Sequence, residues 1–346
     1  MAKLNLETLE KWLWDSANIL RGHIDSSDFK NYIFGLMFLK RASDQFFEEA
    51  KIAVEKEGID LEEAIEDEDY HRFFIPKNAW WSEIAKKTEN IGQAIDQAFS
   101  SIEEYNSSLE GVMTAVHFGD SEKLPDSLLS RLLQHFNKYS LANSDLENPD
   151  ILGNSYEYLI RQFADDSGKK GGEFYTPKEV VQLLVQLIKP EAGNSIYDPT
   201  CGSGGMFVQS EKFVESHQGL VDDISIYGQE SNQTTWRLAK MNLAIRGINS
   251  EHVKWNSEGS FLNDAHKDLK ADYIIANPPF NVSDWSGEQL VGDARWSLGT
   301  PPAGNANFAW MQHFLYHMSP KGQAGVVLAK GALTSKTSGE GEIRKA

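Results

Sequence analysis

The chain has almost nothing to cross-link it. A single cysteine, Cys201, stands in 346 residues, so no internal disulfide can form and a reducing compartment suits it. Cysteines and histidines show no zinc-type spacing, and no metal is expected. No apolar run is long enough to span a bilayer. The opening Met-Ala-Lys-Leu-Asn-Leu-Glu has no basic head followed by an apolar core, so the expectation is a cytoplasmic protein without a signal peptide or membrane association. Positive charge is also short. Lys and Arg number 33 against 51 Asp and Glu, giving a net charge of −18 and a pI near 4.9. Proteins that grip DNA unaided carry a basic face, because phosphate neutralisation supplies most of the affinity. This balance argues against autonomous DNA binding and asks for a partner if DNA is the target. What remains, 40% hydrophobic and 24% charged residues, is an ordinary globular balance with room for two domains.

Residues 1–148 read as a helical domain. Leu6, Leu9, Leu13, Ile19 and Leu20 fall near helical spacing within Leu4–Arg21. Ser26-Ser27-Asp28 offers an N-cap for a helix from Phe29 to Glu49. The acidic stretch Lys51–Asp69 reads as a solvated helix face and loop. Further apolar periodicity follows Trp80-Trp81 and recurs at Leu128, Leu129, Leu132, Leu133 and Phe136. A polar, turn-rich link at residues 141–149 marks the boundary.

Residues 149–346 change pattern. After a helix from Ile151 to Ala164 and a glycine-lysine loop, Gly-Gly-Glu-Phe-Tyr-Thr-Pro177 leads into a helix from Lys178 to Ile188, with Thr176 placed to cap it. Ser195–Tyr197 is a short strand ending at Asp198. The turn Pro-Thr-Cys-Gly-Ser-Gly-Gly205 and a helix from Met206 to His217 follow. Glycines at 202, 204 and 205 let the backbone approach a ligand. A second strand, Ile224–Gly228, leaves Glu230 just beyond its end, where a carboxylate can accept from both ribose hydroxyls. Helix 231–246, strand 252–255, strand Tyr273–Ala276, helix 307–318 and strand 325–329 complete an alternating α/β series. Strand, glycine turn, helix, strand and acid in that order indicate an adenosine-containing cofactor. Cys201 lacks a histidine partner nearby and reads as a small residue of the turn.

The strand Tyr273–Ala276 delivers Asn277-Pro-Pro-Phe280 to the edge where open α/β sheets bind ligands. The prolines end ladder pairing. Taken alone, Asn-Pro-Pro is more often a turn than a site. In this company it suits an exocyclic amine: the Asn277 side-chain oxygen and the Pro278 carbonyl can each accept one N–H. Phe280 can stack on the ring, and a base inside a duplex would have to be flipped out to reach it.

Together, Glu-Phe-Tyr-Thr-Pro (173–177), Asp-Pro-Thr-Cys-Gly-Ser-Gly-Gly (198–205), Glu230 and Asn-Pro-Pro-Phe (277–280) resemble the amino-methylating DNA methyltransferases. In particular they look like the modification (M) subunit of type I restriction–modification systems. Residues 13–21, 38–44 and Asn305–His313 share that resemblance. It implies a helical N-terminal domain followed by a Rossmann-like methyltransferase domain, S-adenosyl-L-methionine as cofactor and N6 of adenine in double-stranded DNA as acceptor. It places Glu173, Phe174, Tyr175, Thr176, Pro177, Lys178, Ser203, Gly204, Gly205 and Glu230 at the cofactor, with Asp198 and Gly202 in the same loop. It places Asn277, Pro278, Pro279 and Phe280 at the target base. The implied partners are a specificity (S) subunit, a second M subunit and a restriction (R) subunit. Two departures stand out. The acid expected after the third strand is replaced by Gly259-Ser260-Phe261-Leu262, leaving Phe261 to stack on the cofactor and Asp264 out of register. The family also continues into a C-terminal helical region, so a chain stopping at Ala346 is expected to be incomplete. The competing readings are a protein-glutamine methyltransferase, which usually has Tyr after Asn-Pro-Pro, and an assembly subunit that keeps the cofactor fold without catalysis. An NAD enzyme is disfavoured, since Gly-x-Gly-x-x-Gly spacing is absent.

Overall fold

The structure, a computed structural model, describes residues 3–25, 28–166, 176–217, 219–220 and 223–346, of which 164–166 by backbone alone. It divides into two compact units, Met1–Glu173 with Ala244–Gly247, and Phe174–Leu243 with Ile248–Ala346.

The first unit is helical. Its elements are α1 (Leu6–Leu20), α2 (Phe29–Glu57), α3 (Leu61–Glu66), α4 (Trp81–Ile84), α5 (Ile91–Tyr105), α6 (Asp126–Phe136) and α7 (Asp150–Asp166). Asn5 caps α1 by accepting the Thr8 N–H at 2.9 Å. At the start of α2 Asp28 holds the N-cap position without a side-chain cap bond, and Ser26 and Ser27 lie outside the described residues. Helix α2 runs eight residues past the expected Glu49. Ala50 and Ala53 lie on one face and pack against Ala64 of α3, so two small apolar residues carry the helix through an otherwise acidic stretch. The turn-rich link is fastened rather than free. Asp44 accepts from Leu141 N at 2.7 Å, and Glu48 accepts from Asn143 N and Ser144 N, both at 2.7 Å. Buried Arg41 donates to the Leu141 carbonyl and to Asn143 Oδ1. Beyond that strap, α7 packs on α1 and α2. The compact units therefore divide at 173/174, after α7 rather than before it.

The second unit is an all-parallel sheet in the order β3-β2-β1-β4-β5. Its strands are β1 (Ser195–Asp198), β2 (Ser225–Glu230), β3 (Val253–Trp255), β4 (Ala271–Ala276) and β5 (Met318–Val326). The helices are α8 (Lys178–Ile188), α9 (Gly205–Ser216), α10 (Gln233–Arg246), the short α11 (Gly259–Leu262), α12 (Asn307–His317) and α13 (Glu340–Lys345). Period-two alternation sorts the strands' side chains. Ile196, Ile226, Tyr273 and Ile275 share one core with Val181 and Val185 of α8, Phe207 of α9 and Leu243 of α10. Tyr197, Ile274 and Ala276 share the other with Ala309, Trp310 and Phe314 of α12. Strand β5 starts at Met318, earlier than the expected Gly325. Ser319, Pro320, Lys321 and Gly322 hide it from a hydrophobicity reading. At the end of the sheet, where among the described residues only β4 pairs with it, proline is tolerated, and the ladder is irregular between Ala271 and Tyr273. No helix of the described residues is long and apolar enough to cross a membrane.

Candidate functional site

Three neighbouring parallel strands end on the same edge, and each delivers one polar side chain there. Asp198 closes β1 and Glu230 closes β2, while Asn277 follows β4 directly. Between β1 and α9 the chain must reverse sharply, and Gly202 (φ 53°) and Gly204 (φ 81°) take left-handed conformations to do so. A Cβ at Gly202 or Gly205 would meet nothing within 4 Å, so the turn borders open space. The Asn242 side chain, fully buried in α10, donates to the Ser203 carbonyl at 2.8 Å and Ser260 Oγ donates to the Pro199 carbonyl at 2.6 Å. No sequence pattern marks these two supports.

Glu230 is tied to the turn it faces: Oε2 accepts the Gly202 N–H at 3.1 Å and Oε1 the Asn232 N–H at 2.8 Å. Burial raises its pKa, and these backbone bonds oppose the rise. Each oxygen keeps lone-pair capacity for another donor. Asp198 is buried, and its Oδ1 accepts from Thr200 N (2.9 Å) and Thr200 Oγ1 (3.1 Å). Burial lifts its pKa to about 7; the Thr200 bonds oppose the shift and the Glu230 charge adds to it. Cys201 packs in the same turn, and burial pushes its thiol well above the ordinary value. The thiolate a nucleophile needs is therefore disfavoured.

On the β4 side, Asn277 Nδ2 donates to Thr176 Oγ1 at 2.9 Å. Its Oδ1 is buried with no hydrogen-bond partner among the described residues. Thr176 thus turns to Asn277 instead of capping α8, where Pro177 occupies the N-cap position. Pro278 is buried, while Pro279 and Phe280 are exposed, Phe280 by 43%. Lys178 opens α8 half-buried. Glu173, Phe174 and Tyr175 lie outside the described residues.

Phe261 departs from its expected stacking role. It packs against Trp310 (centroids 4.0 Å apart), Trp285 and Trp296 and is 8% exposed, leaving little ring for a cofactor base. Sequence reasoning also passed over the group behind it. Arg295 donates to the Ser260 and Phe261 carbonyls at 3.1 and 2.7 Å, pairs with Asp293 at 2.7 Å and meets His313 Nδ1 at 3.2 Å. A guanidinium only donates, so Nδ1 accepts, and the His313 proton sits on Nε2, 3.0 Å from the Tyr197 hydroxyl. Burial holds His313 well below its ordinary pKa. Asp264 turns away from the turn to His317 at 2.8 Å; burial would raise its pKa, but the His317 bond and nearby histidines take it down to about 2. Asp264, His313 and His317 bring ligand-type atoms within 4.8 Å of one another. Yet each ring nitrogen already has a protein partner, and Arg295 beside His313 would repel a metal cation. The cluster is a hydrogen-bonded brace.

The family described as N-6 DNA Methylase matches residues 147–346, and the HsdM N-terminal domain matches residues 9–136. The chain is 46% identical to the type I restriction enzyme HindI methylase subunit of Haemophilus influenzae, over 75% of this chain and 59% of that protein. It is 36% identical to the type I restriction enzyme MjaIX methylase subunit of Methanocaldococcus jannaschii, over 97% of this chain and 63% of that one. It therefore spans about three fifths of the length of these relatives. Among solved structures, the type I restriction-modification system methyltransferase subunit from Streptococcus thermophilus superposes with a TM-score of 0.81 at 26% identity, covering 99% of this chain and 78% of that one.

Proposed function

The chain belongs to the N-6 DNA methylase family, and from that premise we propose that its second unit binds S-adenosylmethionine and methylates N6 of an adenine flipped out of double-stranded DNA. The same reading makes it the modification subunit of a type I restriction–modification complex, with a specificity subunit, a second modification subunit and a restriction subunit as partners. The names of its relatives support that assembly. Residues 1–148 would then close around DNA or bridge to the second copy.

The observation that carries the reading is Asn277 Oδ1, a buried acceptor without a partner among the described residues, three residues before the exposed Phe280. Such an atom costs stability unless a donor arrives. An exocyclic amine supplies one: Asn277 Oδ1 and the Pro278 carbonyl take its two N–H groups and leave the nitrogen lone pair pointing away from them. Phe280 stacks on the base. The glycine turn and Glu230 fit the cofactor, since Gly202 and Gly205 border open space and both Glu230 oxygens can accept a ribose hydroxyl. Thr176, Pro177 and Lys178 would complete that side. The cofactor, when bound, supplies a methyl group on a sulfonium. No enzyme nucleophile or strong base is needed, because positioning and charge placement carry the rate; the amine proton leaves once the nitrogen has become cationic.

Asn277→Ala and Glu230→Ala separate the two half-sites. In the assembled complex with tritiated cofactor and unmethylated plasmid, Asn277→Ala should lose methyl transfer while its calorimetric affinity for S-adenosylmethionine stays within about twofold. Glu230→Ala should weaken cofactor binding by roughly 10- to 100-fold, the loss of a charge-assisted bond. Loss of cofactor affinity in the Asn277 variant would overturn the assignment.

A further inference from the structure

Methyl transfer as described leaves the stretch Asn305-Ala-Asn-Phe-Ala-Trp-Met-Gln-His313 without a task. Its first residues meet the acceptor loop immediately after Phe280. Asn281 there is left-handed, at φ 56°, a conformation that non-glycine residues other than Asn and Asp rarely take. Asn307 Oδ1 accepts the Asn281 N–H at 2.9 Å. A backbone N–H can only donate, which fixes the Asn307 amide: its Nδ2 faces Asn281 Oδ1, also at 2.9 Å. Asn305 adds a longer bond to the same oxygen at 3.4 Å and accepts the Asn307 N–H at 2.9 Å. Ala306 N donates to the Val282 carbonyl at 2.9 Å. Asn307 is 8% exposed, and the helix it opens is anchored by buried Phe308, Ala309, Trp310 and Phe314. Asn281 is exposed, so its unusual backbone is held by these bonds and not by burial.

We propose that Asn307 is the positioning residue of the acceptor loop. It locks Asn281 and so sets the direction of the Phe280 ring before a base arrives. The proposal rests on the reading of Asn277–Phe280 as the target-base site. An aromatic ring held in its stacking position orders nothing when the base enters, and the saving appears in the transfer step. Asn307 touches neither base nor cofactor and acts through Asn281.

Three variants test it in the assembled complex, with single-turnover methyl transfer on unmethylated plasmid, calorimetric titration with S-adenosylmethionine and amide exchange at Asn281. Asn307→Ala should expose the Asn281 amide to exchange and slow transfer about 10- to 100-fold, the cost of a misplacement near 1 Å. Cofactor affinity should remain within about twofold. Asn307→Asp still accepts the Asn281 N–H, and the exposed Asn281 amide can rotate to donate to it, so protection and most transfer should return. Asn281→Gly keeps the left-handed backbone and its N–H bond to Asn307 Oδ1 but loses the side-chain half of the lock, and should fall between the two. Transfer by Asn307→Ala at the parent rate, with Asn277→Ala inactive, would overturn the lock alone. If Asn277→Ala were also active, the fault would lie in the base-site reading. Loss of cofactor affinity in Asn307→Ala would show a general support of the fold and would also overturn the proposal.

Discussion

Asp198 is the side chain whose protonation the fold disturbs most visibly near neutrality. Burial first, and the Glu230 charge as a lesser cause, raise it from 3.8 to about 7. The folded chain then holds a proton that the unfolded chain releases from about pH 4 upward. Stability from this group is fully present below 3.8 and is lost as pH rises through about 7. Glu230, also raised, tilts the balance the same way. The melting temperature of the chain without ligand should therefore decline between about pH 4 and pH 7. Asp198→Asn, which keeps an oxygen for Thr200, should flatten that decline; an unchanged slope would remove Asp198 as its source. Asp264 works in the opposite direction and in another window: held down to about 2, it contributes stability above 3.8 that disappears as pH falls toward 2. The sequence exposed Asp198, Glu230 and Asn277 because each closes or follows a strand, and strand ends were readable from apolar runs. It did not expose Arg295 or His313, whose partners are Ser260, Phe261 and Tyr197. Those contacts cross long sequence separations that no local period encodes. For Thr176 the local pattern offers a cap and the resemblance a place at the cofactor; neither points to its partner Asn277, 101 residues away.

Helices and strands show the same division between local signal and tertiary decision. Helix α8 came out at its own limits, Lys178–Ile188, because Pro177 and an apolar period bound it. Helix α2 extends beyond its strong apolar period because Ala50 and Ala53 are weak hydrophobic signals that become decisive only once Ala64 packs on them. Strand β5 begins before its apolar signal for a related reason: backbone pairing to β4 holds Met318 and Gln323 in the sheet, and a polar, proline-containing sequence gives no sign of it. The link at residues 141–149 reads by composition as a polar, turn-rich boundary. The Leu141, Asn143 and Ser144 amides are taken by Asp44 and Glu48, so turn-forming residues here mark a strap.

For the chain as a polyelectrolyte, the net charge of −18 opposes condensation onto duplex DNA, whatever the site can do to one base. Alone, it should shift duplex DNA weakly, without sequence preference, and with little binding left at physiological salt. Adding a specificity subunit should produce tight, site-specific binding, since base readout and positive surface would come from that partner. Gel shifts at two salt concentrations check this, and tight sequence-specific binding by the chain alone would contradict it. For the chain as a connected path, the bonds between 281–282 and 306–307 have another effect. They knot the excursion 283–305 at its base, so its contour length is separated from the geometry of the residues before and after it. Its tip is a turn closed by the Asp293 N–H on the Leu290 carbonyl, with Val291 72% exposed and Gly292 at φ 82°. Doubling a closed loop costs only about 0.6 kcal/mol of closure entropy. A four-residue glycine-serine insert placed after Val291, as long as the turn Leu290–Asp293, should lower the melting temperature by only about 1–3 °C and leave cofactor affinity unchanged. That tip is a place where the polypeptide can be lengthened, tagged or tethered while the two ends of the knot stay where they are.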